Sequence, residues 1–166
     1  MGSKMVRNPR VNPRVLVVDD DQTIVETLVA VLEDEGYFVD AAKDGREAIA
    51  KSYSHFYNVA IIDWRLPDIE GTKLLSELKE TTPKTAKIML TGFPSIENTT
   101  EAVNKHADAF FVKPVKISAL LAKIRELLTL QEEEVHYSQE KVAEFIETRT
   151  RDLLEAKTNQ KTTTNQ

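Results

Sequence analysis

The sequence predicts an α/β fold in which a doubly wound parallel β-sheet carries helices on both faces. Short, continuously apolar segments alternate with longer segments whose apolar residues recur every three or four positions. Continuous apolar runs are typical of strands that are covered on both faces. Strict alternation of strands and helices indicates right-handed crossovers between parallel strands.

Five segments have the length and composition of strands. Four of them are continuously apolar and cover residues 15–18, 59–62, 88–90 and 109–112. The remaining one, residues 37–42, is less regular because Asp40 interrupts its apolar residues. All five are too short to be buried helices, so we interpret them, in chain order, as strands one to five.

The first helix is predicted between strands one and two. Ile24, Leu28 and Leu32 recur at helical spacing and mark one apolar face. Asp21 precedes this segment and is placed to accept hydrogen bonds from its first backbone N–H groups, as an N-cap. Gly36 follows the segment and can adopt the left-handed conformation that ends many helices.

Four further helices are predicted from the same periodicity. They cover residues 46–54, 72–81, 95–106 and a fifth segment that begins near Lys116. Ahead of strand one, residues 1–13 contain Pro, Asn and Arg without periodicity, and we expect a flexible lead-in.

Beyond residue 130 the chain lacks Gly and Pro and is rich in helix-forming residues. We therefore predict a helical extension over residues 131–157 that continues the fifth helix or follows it. The last residues, 158–166, are polar, and we expect them to be disordered.

The extension carries an incomplete heptad pattern. Successive a positions are apolar, whereas the d positions are half polar: a is Leu121, Leu128, Val135 and Val142, and d is Ile124, Gln131, Ser138 and Phe145. The apolar stripe then shifts to Ile146, Leu153 and Leu154, which is closer to the period of a straight helix. We expect pairing with a second copy or with the parent domain; a solvated helix without a partner is the alternative.

Composition excludes several classes of function. The formal net charge is −5 at pH 7, so DNA binding by this chain alone is disfavoured. The chain has no cysteine, and its three histidines, His55, His106 and His136, lack zinc-ligand spacing. No apolar run approaches the roughly 20 residues that span a bilayer, and no signal peptide is recognisable. We expect a soluble cytoplasmic protein without membrane insertion.

Polar side chains follow the predicted strands at the points where these strands end. Strand one leads to Asp19 and Asp20, strand three to Asp63, strand four to Thr91 and strand five to Lys113. The carboxyl ends of parallel strands meet at one edge of the sheet, where α/β proteins bind ligands. We therefore expect three carboxylates, a hydroxyl and an ammonium to converge there.

Carboxylates held this close repel one another by roughly 4 kcal/mol per pair at contact. A shared proton, the Lys113 ammonium or a hard divalent metal could compensate. An all-oxygen site suits Mg²⁺, which also favours phosphate as a ligand. Metal, lysine and hydroxyl together can bind a phosphoryl group, and a carboxylate of the cluster can be its nucleophile. Asp63 is the candidate, because strand three lies in the middle of the sheet.

Four stretches together resemble the receiver domain of two-component response regulators over about residues 14–130. They are VLVVDDDQ (15–22), VAIIDWRLPDIEG (59–71), IMLTGFPS (88–95) and AFFVKPV (109–115). The resemblance implies a flavodoxin-like fold with strand order 2-1-3-4-5 and five helices. It also implies that Asp63 accepts a phosphoryl group from the phosphohistidine of a sensor histidine kinase.

The resemblance assigns a role to each site residue. Asp19, Asp20 and Asp63, with the backbone carbonyl of Arg65, would hold Mg²⁺. Thr91 matches the switch hydroxyl and Lys113 matches the lysine of the family. Pro114 forms the Lys113–Pro114 bond, which is usually cis in the family. Phe110 matches the aromatic that turns inward when the hydroxyl moves, whereas Phe111 faces the core. Asp21, the third carboxylate of its run, is assigned to capping the first helix.

Two bulky residues follow the site residues closely in the chain. Arg65 lies two positions after the acceptor, and Phe93 lies two positions after Thr91. We expect them to shield the phosphoryl group from water and so to slow its spontaneous loss. The resemblance implies a signalling domain and not an enzyme, one that assists only its own phosphorylation and dephosphorylation.

The output is expected to be a protein–protein contact. Its surface would be helix four, strand five and helix five, or the tail helix, and the partner a downstream protein or a second copy. One alternative is a phosphorelay intermediate that passes phosphate to another histidine protein. A metal-dependent phosphohydrolase is disfavoured, since Asp63 is followed by Trp64 and Arg65 and not by a second acid.

Overall fold

Five short strands form one parallel sheet in this computed structural model, which describes residues 12–163. The strands are β1 (Arg14–Val18), β2 (Phe38–Ala42), β3 (Val59–Asp63), β4 (Ala86–Thr91) and β5 (Ala109–Val112). Their order across the sheet is β2-β1-β3-β4-β5, and neighbouring strands are parallel. This topology confirms the predicted doubly wound, flavodoxin-like fold.

Five helices alternate with the strands. They are α1 (Gln22–Asp34), α2 (Gly45–Ser54), α3 (Gly71–Glu77), α4 (Ile96–Asn104) and α5 (Ile117–Thr163). Each begins close to where the sequence predicts it, but α3 ends about a turn earlier than residue 81. Leu78 is buried in extended conformation, and the amide of the next residue, Lys79, donates to the Ser52 hydroxyl instead of continuing the helix.

Alternate strand residues point to two separate apolar layers. Leu16 and Val18 of β1 pack into a layer that contains residues of α2, α3 and α4, among them Ala48, Leu74, Leu75 and Ala102. Val15 and Val17 pack into the opposite layer with residues of α1 and α5, among them Leu28, Leu32, Leu120 and Ile124. Because both faces of the sheet are covered, the strands are apolar throughout, as the sequence predicts.

The register of the central strands places the site. Val18 is paired with Ile62, so the residues that follow, Asp19 and Asp63, leave neighbouring strands at the same level. Asp63 itself is paired with Leu90, which precedes Thr91 on β4. The predicted convergence of polar residues at the carboxyl edge is therefore a direct result of parallel pairing.

The helix ends use local capping. Asp21 is the N-cap of α1, and its Oδ1 accepts from the backbone N–H groups of Thr23 at 3.0 Å and Ile24 at 3.3 Å. Gly36 lies just past the end of α1 with φ 89°, in the left-handed region that glycine adopts readily. Asp21 thus acts on α1, and its side chain is used locally.

The last helix is continuous to Thr163, which realises the first of the two predicted alternatives, an extended fifth helix. It also passes residue 157, the predicted end of the helical extension, and so includes the first six residues of the predicted disordered tail, 158–166; residues 164–166 lie outside the described residues. The chain divides into two units, one ending at Leu128 and one beginning at Thr129. The predicted lead-in falls mostly on residues 1–11, outside the described residues. In the described part of the chain, no helix is long and apolar enough to span a membrane.

Candidate functional site

Three carboxylates meet at the carboxyl edge of the sheet. Asp19 and Asp20 follow β1, and Asp63 is the last residue of β3. One carboxylate oxygen of each lies within 4.8 Å of the others. Asp19 and Asp63 are buried, whereas Asp20 is exposed, so the cluster opens to solvent on one side.

Lys113 bridges the two buried carboxylates. It follows β5, and its Nζ lies 2.8 Å from Asp19 Oδ2 and 3.0 Å from Asp63 Oδ1. The Lys113 side chain is four-fifths buried, at 20 % relative exposure. The ammonium therefore neutralises part of the charge that the sheet edge gathers.

Asp19 is held in place by backbone groups as well. Its Oδ1 accepts from the Asp21 N–H at 2.9 Å, and its own N–H donates to the Ala42 carbonyl at 3.1 Å. One carboxylate oxygen is thus bound to the chain and the other to Lys113. Each oxygen keeps a second lone pair, so Asp19 can still contribute a ligand beside Asp20 and Asp63.

Burial and neighbouring charges shift the pKa values of Asp63 and Lys113. Burial raises the pKa of Asp63, and the nearby carboxylates of Asp19 and Asp20 raise it further, against the hydrogen bond from Lys113, which lowers it. For Lys113, burial disfavours the ammonium, but hydrogen bonds to Asp19 and Asp63 outweigh it and raise the pKa. The cluster keeps an excess of negative charge that a cation would relieve.

The donor set fits a hard divalent cation. All three side chains offer oxygen, the ligand type that Mg²⁺ prefers, and they lie close enough to share one ion. Two acidic neighbours contribute to the raised pKa of Asp63. A bound cation would offset this repulsion between the carboxylates. The fourth expected ligand, the carbonyl of Arg65, remains a prediction.

Thr91 lies at the end of β4, fully buried. Its Oγ1 accepts from the Phe93 N–H at 3.0 Å, and its carbonyl accepts from the Lys113 N–H at 2.7 Å. The ends of β4 and β5 are therefore coupled through the backbone. The Thr91 hydroxyl can still donate its proton to an acceptor in the site.

Arg65 and Phe93 are exposed and contact each other. The guanidinium carbon of Arg65 lies 4.4 Å from the centroid of the Phe93 ring, a cation–π distance. The two residues come from the loops after β3 and β4, the strands that carry Asp63 and Thr91. The sequence predicts bulk at both positions, but only the fold brings the two side chains together.

Sequence reasoning missed two structural residues in the segment that follows β3. Gly71 approaches the acceptor backbone so closely that an added Cβ would lie 2.3 Å from the Asp63 carbonyl oxygen. Asp68 accepts from the N–H groups of Gly45 at 2.8 Å and Arg46 at 2.9 Å, so it caps α2 from outside its own segment. For Gly71, the available signal was a lone glycine before a predicted helix. For Asp68, the sequence offers no local signal, because its partners lie more than 20 positions away.

The remaining predicted residues lie on β5 or directly after it. Phe110 packs partly buried against the layer of α2, α3 and α4, whereas Phe111 packs against the layer of α1 and α5. The Lys113–Pro114 peptide bond is cis. Phe110 thus lies on the same side of the sheet as α4, which follows Thr91.

Comparisons with known proteins identify the family of the chain. A family described as "Response regulator receiver domain" matches residues 15–125. Over 115 residues the chain is 37% identical to the regulatory protein VanRB of Enterococcus faecalis and 34% identical to the transcriptional regulatory protein TrcR of Mycobacterium tuberculosis. These matches cover 69% of this chain but only 52% and 45% of the relatives, so the chain spans about half their length.

A solved structure is also similar. It is a CheY-like response regulator receiver domain protein from Methanospirillum hungatei, with 44% sequence identity and a TM-score of 0.71. The match covers 75% of this chain and 99% of that one.

Proposed function

The chain belongs to the response regulator receiver domain family, and we propose that its Asp63 accepts a phosphoryl group from the phosphohistidine of a sensor kinase. The observation that carries this proposal is the Lys113 bridge between Asp19 and Asp63 beside a third carboxylate. Such a set can bind a phosphoryl group on a carboxylate nucleophile and neutralise its charge.

The transfer is a displacement at phosphorus. An Asp63 oxygen attacks, a P–O bond forms as the P–N bond to the histidine breaks, and the imidazole leaves with a proton taken from solvent. Asp19, Asp20 and Asp63 would hold Mg²⁺, with the Arg65 carbonyl as a further ligand. When bound, this ion supplies positive charge to the transferring oxygens.

Lys113 and Thr91 respond to the new group. Phosphorylation adds about two negative charges at Asp63, which gives the Lys113 ammonium and the Thr91 hydroxyl a strong acceptor. Since the Thr91 carbonyl accepts from the Lys113 N–H, the ends of β4 and β5 are drawn inward together. Phe110 then turns into the space that Thr91 leaves, and the surface around α4 changes.

A small phosphoramidate can test the acceptor. It contains the P–N bond of a phosphohistidine, so with Mg²⁺ it should add one phosphoryl group to the wild-type chain, seen by intact-mass spectrometry. Asp63→Asn should remain unmodified, and Asp34→Asn, an exposed carboxylate on α1, should react like the wild type. Equal labelling of Asp63→Asn and wild type would refute the assignment.

Arg65 and Phe93 are proposed to slow hydrolysis of the aspartyl phosphate. Their stacked side chains come from the loops after β3 and β4, next to Asp63 and Thr91 in the chain, and would restrict the approach of an attacking water. Arg65→Ala should lose phosphate faster than wild type, while Arg125→Ala, whose side chain pairs with Glu35 at the C-terminal end of α1, should not. Slower or unchanged loss in Arg65→Ala would contradict the shielding role.

The proposed output is a protein contact, made with a downstream partner or with a second copy. Ile96 and Val103 of α4 and Val112 of β5 are exposed apolar residues that could form this contact. Light scattering with and without beryllofluoride and Mg²⁺ distinguishes the two partners. A mass change in wild type but not in Asp63→Ala supports switched self-assembly; no change assigns the surface to a different protein.

A further inference from the structure

The helix beyond Thr129 carries an apolar stripe that the proposed function does not use. Val142, Ile146 and Leu153 expose 58%, 58% and 53% of their surface, and Phe145 lies beside them with 70%. At about 100° per residue, Val135, Val142, Ile146 and Leu153 fall within roughly 40° of one another on the helix. We call these four residues the tail seam. We propose that the tail seam pairs antiparallel with the tail seam of a second copy of this chain.

The spacing of the tail seam is symmetric. Its residues are separated by seven, four and seven positions, so the sequence of gaps reads the same in both directions. An antiparallel overlap centred on Glu144 therefore sets Val135 opposite Leu153 of the second copy and Val142 opposite Ile146 of the second copy. Every apolar residue of the seam meets an apolar residue, as a two-fold symmetric interface requires.

Charge selects the antiparallel direction. Arg149 lies at the edge of the tail seam, about 20° from Val142 at about 100° per residue. A parallel pair would place Arg149 against Arg149 of the second copy, two like charges taken from water together. In the antiparallel overlap Arg149 instead faces Gln139 of the second copy, which can accept a hydrogen bond.

The flanks of the tail seam agree with the same direction. Residues 132–134 are three consecutive glutamates near one end of the seam, and Lys157 lies near the other end. Glu132 and Lys157 lie on the same side of the stripe, so antiparallel pairing brings each close to its opposite charge on the second copy. Parallel pairing would align the glutamate runs of the two copies and make them repel.

Because the chain has no cysteine, single-cysteine variants report the pairing directly. A mixture of Val135→Cys and Leu153→Cys should form a mixed disulfide dimer under mild oxidation, identified by its mass. Each variant alone should cross-link poorly, since two copies of position 135 would lie about 27 Å apart at 1.5 Å per residue, far beyond disulfide reach. Thr148→Cys, on the opposite face, is the control and should not cross-link.

Light scattering on the full chain without any phosphoryl donor provides the second measurement. Wild type should have twice the monomer mass, Ile146→Lys should be a monomer, and Thr148→Lys should remain a dimer. Self-cross-linking of Val135→Cys alone would overturn the antiparallel direction. A monomeric wild type, or a dimer that survives Ile146→Lys, would overturn the pairing itself, without bearing on phosphorylation of Asp63.

Discussion

Helices α1 and α4 have the same chemistry at their ends but differ in what they bury. Each begins at a capping side chain, Asp21 for α1 and Ser95 for α4. Between the caps, α1 buries Leu28 and Leu32, whereas Ala102 is the one buried residue of α4.

The two C-termini match in their hydrogen bonds too. In α1 the N–H of Gly36 donates to Glu33 and that of the next residue to Leu32; in α4 the N–H of His106 donates to Val103 and that of the next residue to Ala102. His106 adopts φ 67° where α1 uses glycine. The helix that follows Thr91 is therefore held by local bonds more than by packing, which suits an element that moves when the site is charged.

The largest difference in stability between the two helices is expected when a side chain is truncated on the face of each. Leu32→Ala removes a fully buried side chain from α1 and should destabilise the protein by about 2–5 kcal/mol. Val103→Ala removes an exposed side chain from α4, 64% exposed in the structure, and should change stability by less than about 0.5 kcal/mol. Urea unfolding of both variants measures the difference; similar losses would mean that α4 is packed as firmly as α1.

Removing the N-caps should have an intermediate effect. Asp21→Ala should lower the free energy of unfolding by about 1 kcal/mol, because two backbone N–H groups lose their acceptor. Mg²⁺ affinity, followed by tryptophan fluorescence, should be retained, since Asp21 acts on α1. A loss of Mg²⁺ binding as complete as that of Asp20→Asn would assign Asp21 to the metal site instead.

Substitutions at the residues that follow the C-termini of α1 and α4 should change stability in opposite directions. Gly36→Ala forces a side chain into the left-handed region and should destabilise by about 1 kcal/mol. His106→Gly removes that strain from the end of α4 and should stabilise by up to about 1 kcal/mol. Thermal unfolding would detect both, and a destabilised His106→Gly would show that the histidine side chain contributes more than its backbone conformation costs.

A pH titration distinguishes the charges of the site from the packing of the helices. The pKa of Asp63 is raised above its ordinary value of 3.8, so the folded state binds this proton more tightly than the unfolded state. Stability is therefore lost as pH rises from that value through the folded pKa. Without Mg²⁺, Asp63→Asn should be more stable than wild type at neutral pH, and the advantage should shrink in acid.

The packing variant supplies the control for that titration. The loss in Leu32→Ala should be nearly independent of pH, because no charge is removed. Added Mg²⁺ should stabilise wild type more than Asp63→Asn, since ligand binding favours the folded state. An advantage of Asp63→Asn that grows towards acidic pH would reverse the sign of the effect and contradict the raised pKa.

Local sequence patterns determined most of the fold and the membership of the site. The apolar runs of the strands are continuous because both faces are covered, and the caps Asp21 and Ser95 act on the helices that they precede. Parallel pairing then brings the residues after each strand to one edge, so the sequence alone is enough to group Asp19, Asp63 and Lys113.

Tertiary structure alone decided the contacts between distant segments. Only the fold shows that Lys113 reaches Asp19 and Asp63 together. The cap that Asp68 supplies to α2 and the early end of α3 likewise depend on segments far apart in the chain. Periodicity and capping act over a few residues and can be read locally, whereas these contacts depend on the three-dimensional packing of all the segments, which no local pattern encodes.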